Sequence, residues 1–325
     1  MDINRIDNVV VIGAGIMGVG IAQNFAQAGI AVSLVDVSQA ILDNSLAEIK
    51  ANIALFKEFK LLSEEPVTIM DRIKPVLTPS LKRAMKNCQY VVEAIPEILD
   101  TEKKMLADLE EYSSRVIISS NTGSFTITEL ARGMRNPGRV IGVHYFNPAH
   151  IIPAVEVHRG ADTSDETVET TRKLMLKVGK KPVMVRKEIP GFIVNRLTGA
   201  LEREIGYLLD QGIVTPEDLD TAVKASIGFR FACLGPVEVE DMIGLDTSMR
   251  VSERVFGLLN NATGPSPDLA AKVKAGELGI KSGKGWYDYS GKPKKQVLEE
   301  NNRKLLRQLA LFLDSEKSMI NRKRH

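Results

Sequence analysis

The hydrophobic pattern opens on an unbroken β-branched run, Val9-Val10-Val11-Ile12. Apolar side chains at every position, rather than every second one, predict a strand covered on both faces, as in a parallel sheet between helices. Glycines break the run at residues 13–18. Residues 19–28 then place Ile21, Ala22, Phe25 and Ala26 on one side of a helix, which Gly29 closes. A second apolar run over residues 31–35 ends on Asp36. The chain therefore begins strand, glycine turn, helix, strand.

The period then lengthens. Residues 38–62 carry Ile41, Leu42, Ser45, Ile49, Ile53 and Phe56 at helical spacing, predicting one long helix, with another after Pro66. Strands are predicted at residues 90–95, 115–119, 140–144 and 154–158, and a helix at 103–109. This alternation predicts an α/β domain with a mostly parallel sheet. The pattern changes near Pro190: residues 191–259 hold no strand pattern, and 192–209 read as a long amphipathic helix. Thr215 opens another helix, with Pro216 at its first position and Glu217 and Asp218 in its first turn. Residues 282–289 read as a glycine turn with aromatics, and 297–313 as a helix in a basic tail.

At 325 residues, with 44% hydrophobic and 26% charged, the chain is long enough for two globular domains of ordinary composition. A formal net charge of +2 removes the electrostatic case for a nucleic-acid or membrane partner. Cys88 and Cys233 form no C-x-x-C pair, so neither a disulfide framework nor a metal site is expected, and a reducing compartment is. The glycine-studded uncharged stretch over residues 8–23 falls short of the roughly 20 apolar residues of a spanning helix. Asp2 and Asp7 argue against a basic targeting region, and Arg322-Lys323-Arg324-His325 holds no peroxisomal tripeptide, so a cytoplasmic location is expected.

Gly13-Ala14-Gly15-Ile16-Met17-Gly18 fits G-x-G-x-x-G. Gly13 allows the tight turn out of the strand, Gly15 lets backbone approach a pyrophosphate, and Gly18 lets helix pack on strand. The anion would meet free N–H groups at the helix start, around Ile16 and Met17. Asp36 ends the next strand, about 20 residues on, where a carboxylate accepts both ribose hydroxyls and repels a 2′-phosphate. Val37 and Ser38 follow, with no arginine to hold such a phosphate, so the expected cofactor is NAD. The expected architecture is a Rossmann-type domain with a helical arm (residues 1–188), a smaller all-α domain (189–290) and a basic helical tail (291–325).

Five ordered motifs resemble the 3-hydroxyacyl-CoA dehydrogenase family. They are Val91-Val92-Glu93-Ala94-Ile95-Pro96-Glu97, Ser119-Ser120-Asn121-Thr122, His144-Tyr145-Phe146-Asn147-Pro148 with Glu156 beyond, Pro190-Gly191-Phe192-Ile193-Val194-Asn195-Arg196, and Gly235-Pro236 with Asp241 and Gly244-Leu245-Asp246. The resemblance covers roughly residues 8–290. It implies NAD-dependent oxidation of a 3-hydroxyacyl-CoA, a homodimer formed through the helical domain, His144 as general acid/base and Glu156 as its orienting carboxylate. Glu156 alternates with Val155 and Val157, so its side chain leaves the opposite face of the strand and can reach His144. The resemblance places Asn195 at the substrate, Asn121 and Asn147 around the nicotinamide and its ribose, and Glu97 at that ribose. It makes the long helix an arm for coenzyme A, where Lys50, Lys57 and Lys60 either meet phosphates or form a solvated face. His150 and His158 read as structural or exposed.

Two departures stand out. The family carries a serine after Ser-Asn-Thr that contacts the reacting oxygen, and here that position is Gly123. Ser124, Thr122 or Ser120 would have to supply the donor, or the substrate differs in shape. Glu102 stands where the family often has a lysine, with Lys103 and Lys104 adjacent. Gly228-Phe229-Arg230-Phe231-Ala232 resembles the gulonate dehydrogenase/lambda-crystallin branch, which acts without CoA, so a free 3-hydroxy acid is a rival substrate. Arg230 would there bind a carboxylate or simply cap a helix. A non-catalytic NAD-binding role is the third reading, and the pairing of His144 with Glu156 argues against it.

Overall fold

The computed structural model describes residues 3–322; Lys323, Arg324 and His325, the end of the expected tail, lie outside the described residues. The chain forms two compact units, one running to Val194 and resuming at Asn302, the other spanning Asn195–Asn301.

The first unit is built on one sheet: β1 (Asn8–Ile12), β2 (Ala31–Asp36), β3 (Ile73–Leu77), β4 (Tyr90–Glu93), β5 (Ile117–Ser120), β6 (Val140–Tyr145), β7 (Ala154–Arg159) and β8 (Lys181–Val185). The strand order is β3-β2-β1-β4-β5-β6-β7-β8. The first six strands run parallel, β7 lies antiparallel to β6, and β8 follows β7 in parallel. The order reverses beside β1, and the crevice at the carboxyl ends there is where such sheets take ligands.

Among the described residues, this sheet is covered by α1 (Ile16–Gln27), α2 (Gln39–Glu58), α3 (Pro66–Asp71), α4 (Leu81–Ala84), α5 (Leu99–Tyr112), α6 (Ile127–Leu130) and α7 (Asp165–Lys177). The unbroken apolar run of β1 is explained by two cores. Val9 and Val11 pack with Phe25, Ile49, Ile53 and Leu174 on one face. Val10 and Ile12 pack with Leu81, Leu106, Leu109 and Ile127 on the other.

β3, β8 and α7 are additions to the sequence reading. Both strands lie at sheet edges and carry a proline, Pro75 and Pro182, whose missing N–H an edge tolerates. α1 starts directly after Gly15, three residues earlier than expected. α2 begins after the Ser38 cap and stops at Glu58, short of the expected residue 62, because Lys60 turns the chain at φ 57°.

The second unit is helical: α8 (Val194–Asp210), α9 (Pro216–Ala225), α10 (Ile227–Phe231), α11 (Pro236–Ile243), α12 (Leu245–Val255), α13 (Pro267–Lys274) and the first turns of α14 (Lys294–Arg322). Thr215 caps α9 as its sequence predicts, accepting the Asp218 N–H. Among the described residues, strand character in this unit is confined to two isolated bridges within residues 279–288. α14 is longer than the expected 297–313 helix. Its later turns return to the first unit, where Leu306 packs with Phe56 and Ile151 and Arg303 pairs with Glu58. The fold is thus a mostly parallel α/β domain followed by a helical one. Among the described residues no helix is long and apolar enough to cross a membrane.

Candidate active site

Gly13, at φ 98°, donates its N–H to Val35 O at 2.9 Å, and a Cβ on it would lie 2.4 Å from Ala94 O. A Cβ on Gly18 would lie 1.7 Å from Gly13 O. Gly15 differs: a Cβ there meets nothing within 4 Å, so this residue borders open space. Gly15 is also the N-cap of α1 and has no side chain to cap the first N–H groups, those of Ile16 and Met17. Asp36 closes the loop, its Oδ2 accepting Ala14 N–H at 2.9 Å and its Oδ1 accepting Val37 N–H at 2.7 Å. The two glycines packed against backbone, and the third facing outward, fit a dinucleotide pyrophosphate.

β4 and β5 end beside this loop. Glu93 is buried, accepting Ile95 N–H at 2.8 Å and the Ser120 hydroxyl at 2.6 Å. Ser120 is therefore not placed to meet a substrate: it is fully buried and its hydroxyl is committed to Glu93. Asn121 lies at the strand end, its Oδ1 accepting Tyr145 N–H at 3.0 Å. Exposed Glu97 accepts Gly123 N–H at 2.6 Å and the hydroxyl of Ser124, which is itself exposed. Thr122, buried, accepts the N–H groups of Ser124 and Phe125. Of the three hydroxyls that could replace a serine at 123, Ser124 alone faces outward.

His144 sits near the end of β6, three strands from β1, about 14 Å across the sheet. Its register partner on β7 is Glu156, and His144 Nδ1 lies 2.9 Å from Glu156 Oε2. Glu156 Oε1 accepts the N–H groups of Ile193 and Val194, both at 2.9 Å. Burial pushes this carboxyl up, but the His144 and Val194 donors, nearby His158 and the Ile193 donor together hold it below its ordinary value. An ionised carboxylate only accepts, so Nδ1 carries the imidazole proton and Nε2 is left with its lone pair.

The Ile193 and Val194 donors were not foreseen. They are aimed by Phe192, fully buried at φ 49°, and the one hint of that turn is the Pro190-Gly191 before it. Phe192 stacks on His158 at 3.5 Å and tilts against His144 at 5.8 Å. His150 and His158 are both buried, and burial first of all lowers each to about 4, so both are neutral. Among the described residues, His144, Glu156 and His158 form the one group whose donor atoms, all within 4.8 Å, could hold a metal ion; the 2.9 Å hydrogen bond already joins two of them.

Asn147 is exposed just past β6, and Asn195 is exposed at the start of the second unit, next in sequence to Val194. Lys50, Lys57 and Lys60 are exposed on and just beyond α2, with Lys57 paired to Glu65 at 2.8 Å. Arg230 is exposed in the last turn of α10.

A glycine loop whose geometry fits a dinucleotide pyrophosphate, and a His–Glu dyad at the same end of one sheet, are the arrangement of an NAD-dependent oxidoreductase. The family model for the 3-hydroxyacyl-CoA dehydrogenase NAD binding domain matches residues 8–189, and that for the C-terminal domain matches residues 191–289. The chain belongs to the 3-hydroxyacyl-CoA dehydrogenase family, NAD-dependent enzymes acting on CH–OH. It is 34% identical over 304 residues to 5-formyl-3-hydroxy-2-methylpyridine 4-carboxylate 5-dehydrogenase of Mesorhizobium japonicum, covering 93% of this chain and 96% of that one. It is 37% identical over 291 residues to the probable 3-hydroxybutyryl-CoA dehydrogenase of Bacillus subtilis, covering 89% and 99%. The crystal structure of a 5-formyl-3-hydroxy-2-methylpyridine 4-carboxylic acid 5-dehydrogenase, described as an NAD+ dependent dismutase, superposes with a TM-score of 0.86 at 32% identity, covering 94% of this chain and 98% of that one.

Proposed function

We propose that the chain catalyses the reversible NAD-dependent oxidation of the 3-hydroxyl of a 3-hydroxyacyl-CoA to the 3-ketoacyl-CoA. The observation that carries this reading is the His144–Glu156 dyad at the carboxyl end of β6, on the same sheet as the dinucleotide loop. NAD, when bound, supplies the hydride acceptor. His144 Nε2 takes the proton of the substrate hydroxyl, and Glu156 stabilises the resulting imidazolium through Nδ1. The reverse reaction returns that proton from Nε2 to the carbonyl oxygen. Gly13, Gly15, Ile16, Met17 and Gly18 hold the pyrophosphate, and Asp36 the adenine-side ribose. Glu97, Asn121 and Asn147 serve the nicotinamide end. Asn195 and Ser124 meet the substrate, exposed Ser124 turning its hydroxyl from Glu97 to the oxygen that the hydroxyl missing at Gly123 would have met.

We read the protein as a homodimer formed through the second unit, whose exposed Phe229, Phe256 and Leu258 support it. The free thiols of Cys88 and Cys233 support a reducing, cytoplasmic location. A substrate without CoA is the second reading, favoured by Gly123.

A panel assay with NAD tests this. Consumption of NADH with a short 3-ketoacyl-CoA, abolished by His144→Ala, is the expected result. Turnover of free hydroxy acids but of no CoA ester overturns the first reading in favour of the second, and a large gain on acyl-CoA in Gly123→Ser would likewise place the native substrate elsewhere.

A further inference from the structure

Glu102 has no part in the chemistry described so far. It is fully buried in the first turn of α5, and among the described residues neither carboxyl oxygen has a hydrogen-bond partner. Its surroundings are acidic. Glu93 lies buried at the end of β4, Glu97 in the loop that leads into α5, and the Ser120 hydroxyl comes in from β5. On its own helix Asp100 and Lys104 are exposed and Lys103 half-buried; α6, packed on α5, adds Glu129, and α4, in the same core, adds Arg83 and Lys82, the latter over Tyr112 at the far end of α5. Burial first, then the Glu93 and Glu97 charges, push Glu102 up to about 8 against the pull of Ser120. Burial pushes Glu93 up to about 7 against its Ser120 and Ile95 donors. These acids hold the turn that carries Asn121: Glu93 takes the Ser120 hydroxyl, and Glu97 takes Gly123 and Ser124.

We propose that Glu93, Glu97 and Glu102 make the site discriminate between the redox states of its cofactor, favouring the cationic oxidised nicotinamide over the neutral reduced one increasingly as pH rises. The proposal rests on the reading that puts Asn121 and Glu97 at the nicotinamide. An oxidised nicotinamide ring carries a positive charge that hydride transfer removes, so a carboxylate near it stabilises one form alone. A unit charge acting over several ångströms inside a protein changes a binding constant by roughly tenfold. The dependence is reciprocal: the oxidised cofactor must expel a proton from the cluster, and the reduced cofactor need not. The residue that sets this preference is Glu102, since no hydrogen bond fixes its protonation state.

The test measures the dissociation constants of NAD and NADH, by calorimetry and by NADH fluorescence, at about pH 6 and about pH 9. In the unmodified protein the NADH-to-NAD ratio should rise roughly tenfold between the two. Glu102→Gln, an amide standing in for the neutral carboxyl, should match the unmodified protein at the lower pH and lose most of the rise. An unchanged rise in Glu102→Gln overturns the proposal. Should that variant not fold, the unmodified protein decides: calorimetry in two buffers of different ionisation enthalpy, near pH 7.5, should show more protons released on NAD than on NADH binding. Equal release overturns the proposal. If both dinucleotides bind with a ratio indifferent to pH, this inference fails while the cofactor reading stands; if neither binds, both fail.

Discussion

The two units bury their apolar residues to very different extents. In the first, Val9, Val10, Val11, Phe25 and Ile49 are wholly buried, because a sheet offers two faces and the chain supplies helices for both. In the second, α8 buries Gly206 and α12 buries no residue at all. Phe256 is 69% exposed, Phe229 75% and Leu258 79%. The amphipathic pattern is as clear in these helices as in the sheet. Periodicity thus says that a face is destined for burial, not what buries it. The sheet finds its cover within one chain, and the second copy proposed above would be the cover for the helical unit.

Four experiments break or sharpen this contrast. The largest effect is expected from His144→Ala, which should lower kcat by about 10^3 and leave the sedimenting mass unchanged. A change in mass would mean that chemistry and assembly are not divided between the units. Phe256→Glu should do the converse, weakening self-association by about 10^2 in analytical ultracentrifugation. If the unmodified protein already sediments as a monomer, the contrast loses its explanation. Asp36→Ala should raise the KM for NAD about 30-fold with no change in assembly, read by initial rates over a range of NAD.

The smallest effect separates the units by pH. His150 and His158 are each lowered to about 4, so the unfolded chain takes up protons first as pH falls below the ordinary value of 6.5. These two imidazoles therefore withdraw stability from the first unit between about pH 6.5 and pH 4, while Glu93 and Glu102, raised to about 7 and about 8, return stability as they take up protons during the same fall. Glu156, also lowered, adds a loss further down, as pH falls from the ordinary 4.5 through its own value. The second unit, residues 195–301, contains no histidine. Between about pH 7 and about pH 5, thermal scans of His150→Gln should show the first unit's transition falling roughly 4 °C less than in the unmodified protein, with the second unit's transition moving alike in both. An equal fall of the first transition in both proteins would contradict this.

Legibility followed the same division. β1, β2 and β6 announce themselves as β-branched runs because both faces are buried, whereas β3 and β8, interrupted by Pro75 and Pro182, do not. α7 buries Thr167, Thr170 and Thr171 beside Leu174 and Met175, a face too polar for its period to show. At the site, the alternation of Glu156 with its valines pointed it at His144, and the strand register makes the two direct partners. The donors on the other side of Glu156 depend on the backbone conformation at Phe192, which residue types hint at only through Pro190-Gly191. Ser120 was read as open to substrate because nothing in a sequence shows that Glu93 turns toward it. Glu102 was visible as a departure, but an acid on a helix is ordinarily an exposed one, and its burial comes from the strands beneath.

The course of the chain between the units has a consequence for how the protein is made. The chain leaves the first unit after Val194 and re-enters it at Asn302, each time along or beside a helix, α8 or α14. The helical unit is thus an insertion, tied at both ends, and not an appendage. A ribosome delivers the whole sheet first, then the insertion, and the last turns of α14 only at the end. Phe56 and Ile151 therefore wait, uncovered by Leu306, while about a hundred intervening residues are synthesised. Completion of the first unit becomes a late event, and a nascent chain stalled within the insertion would present that seat to whatever else is near.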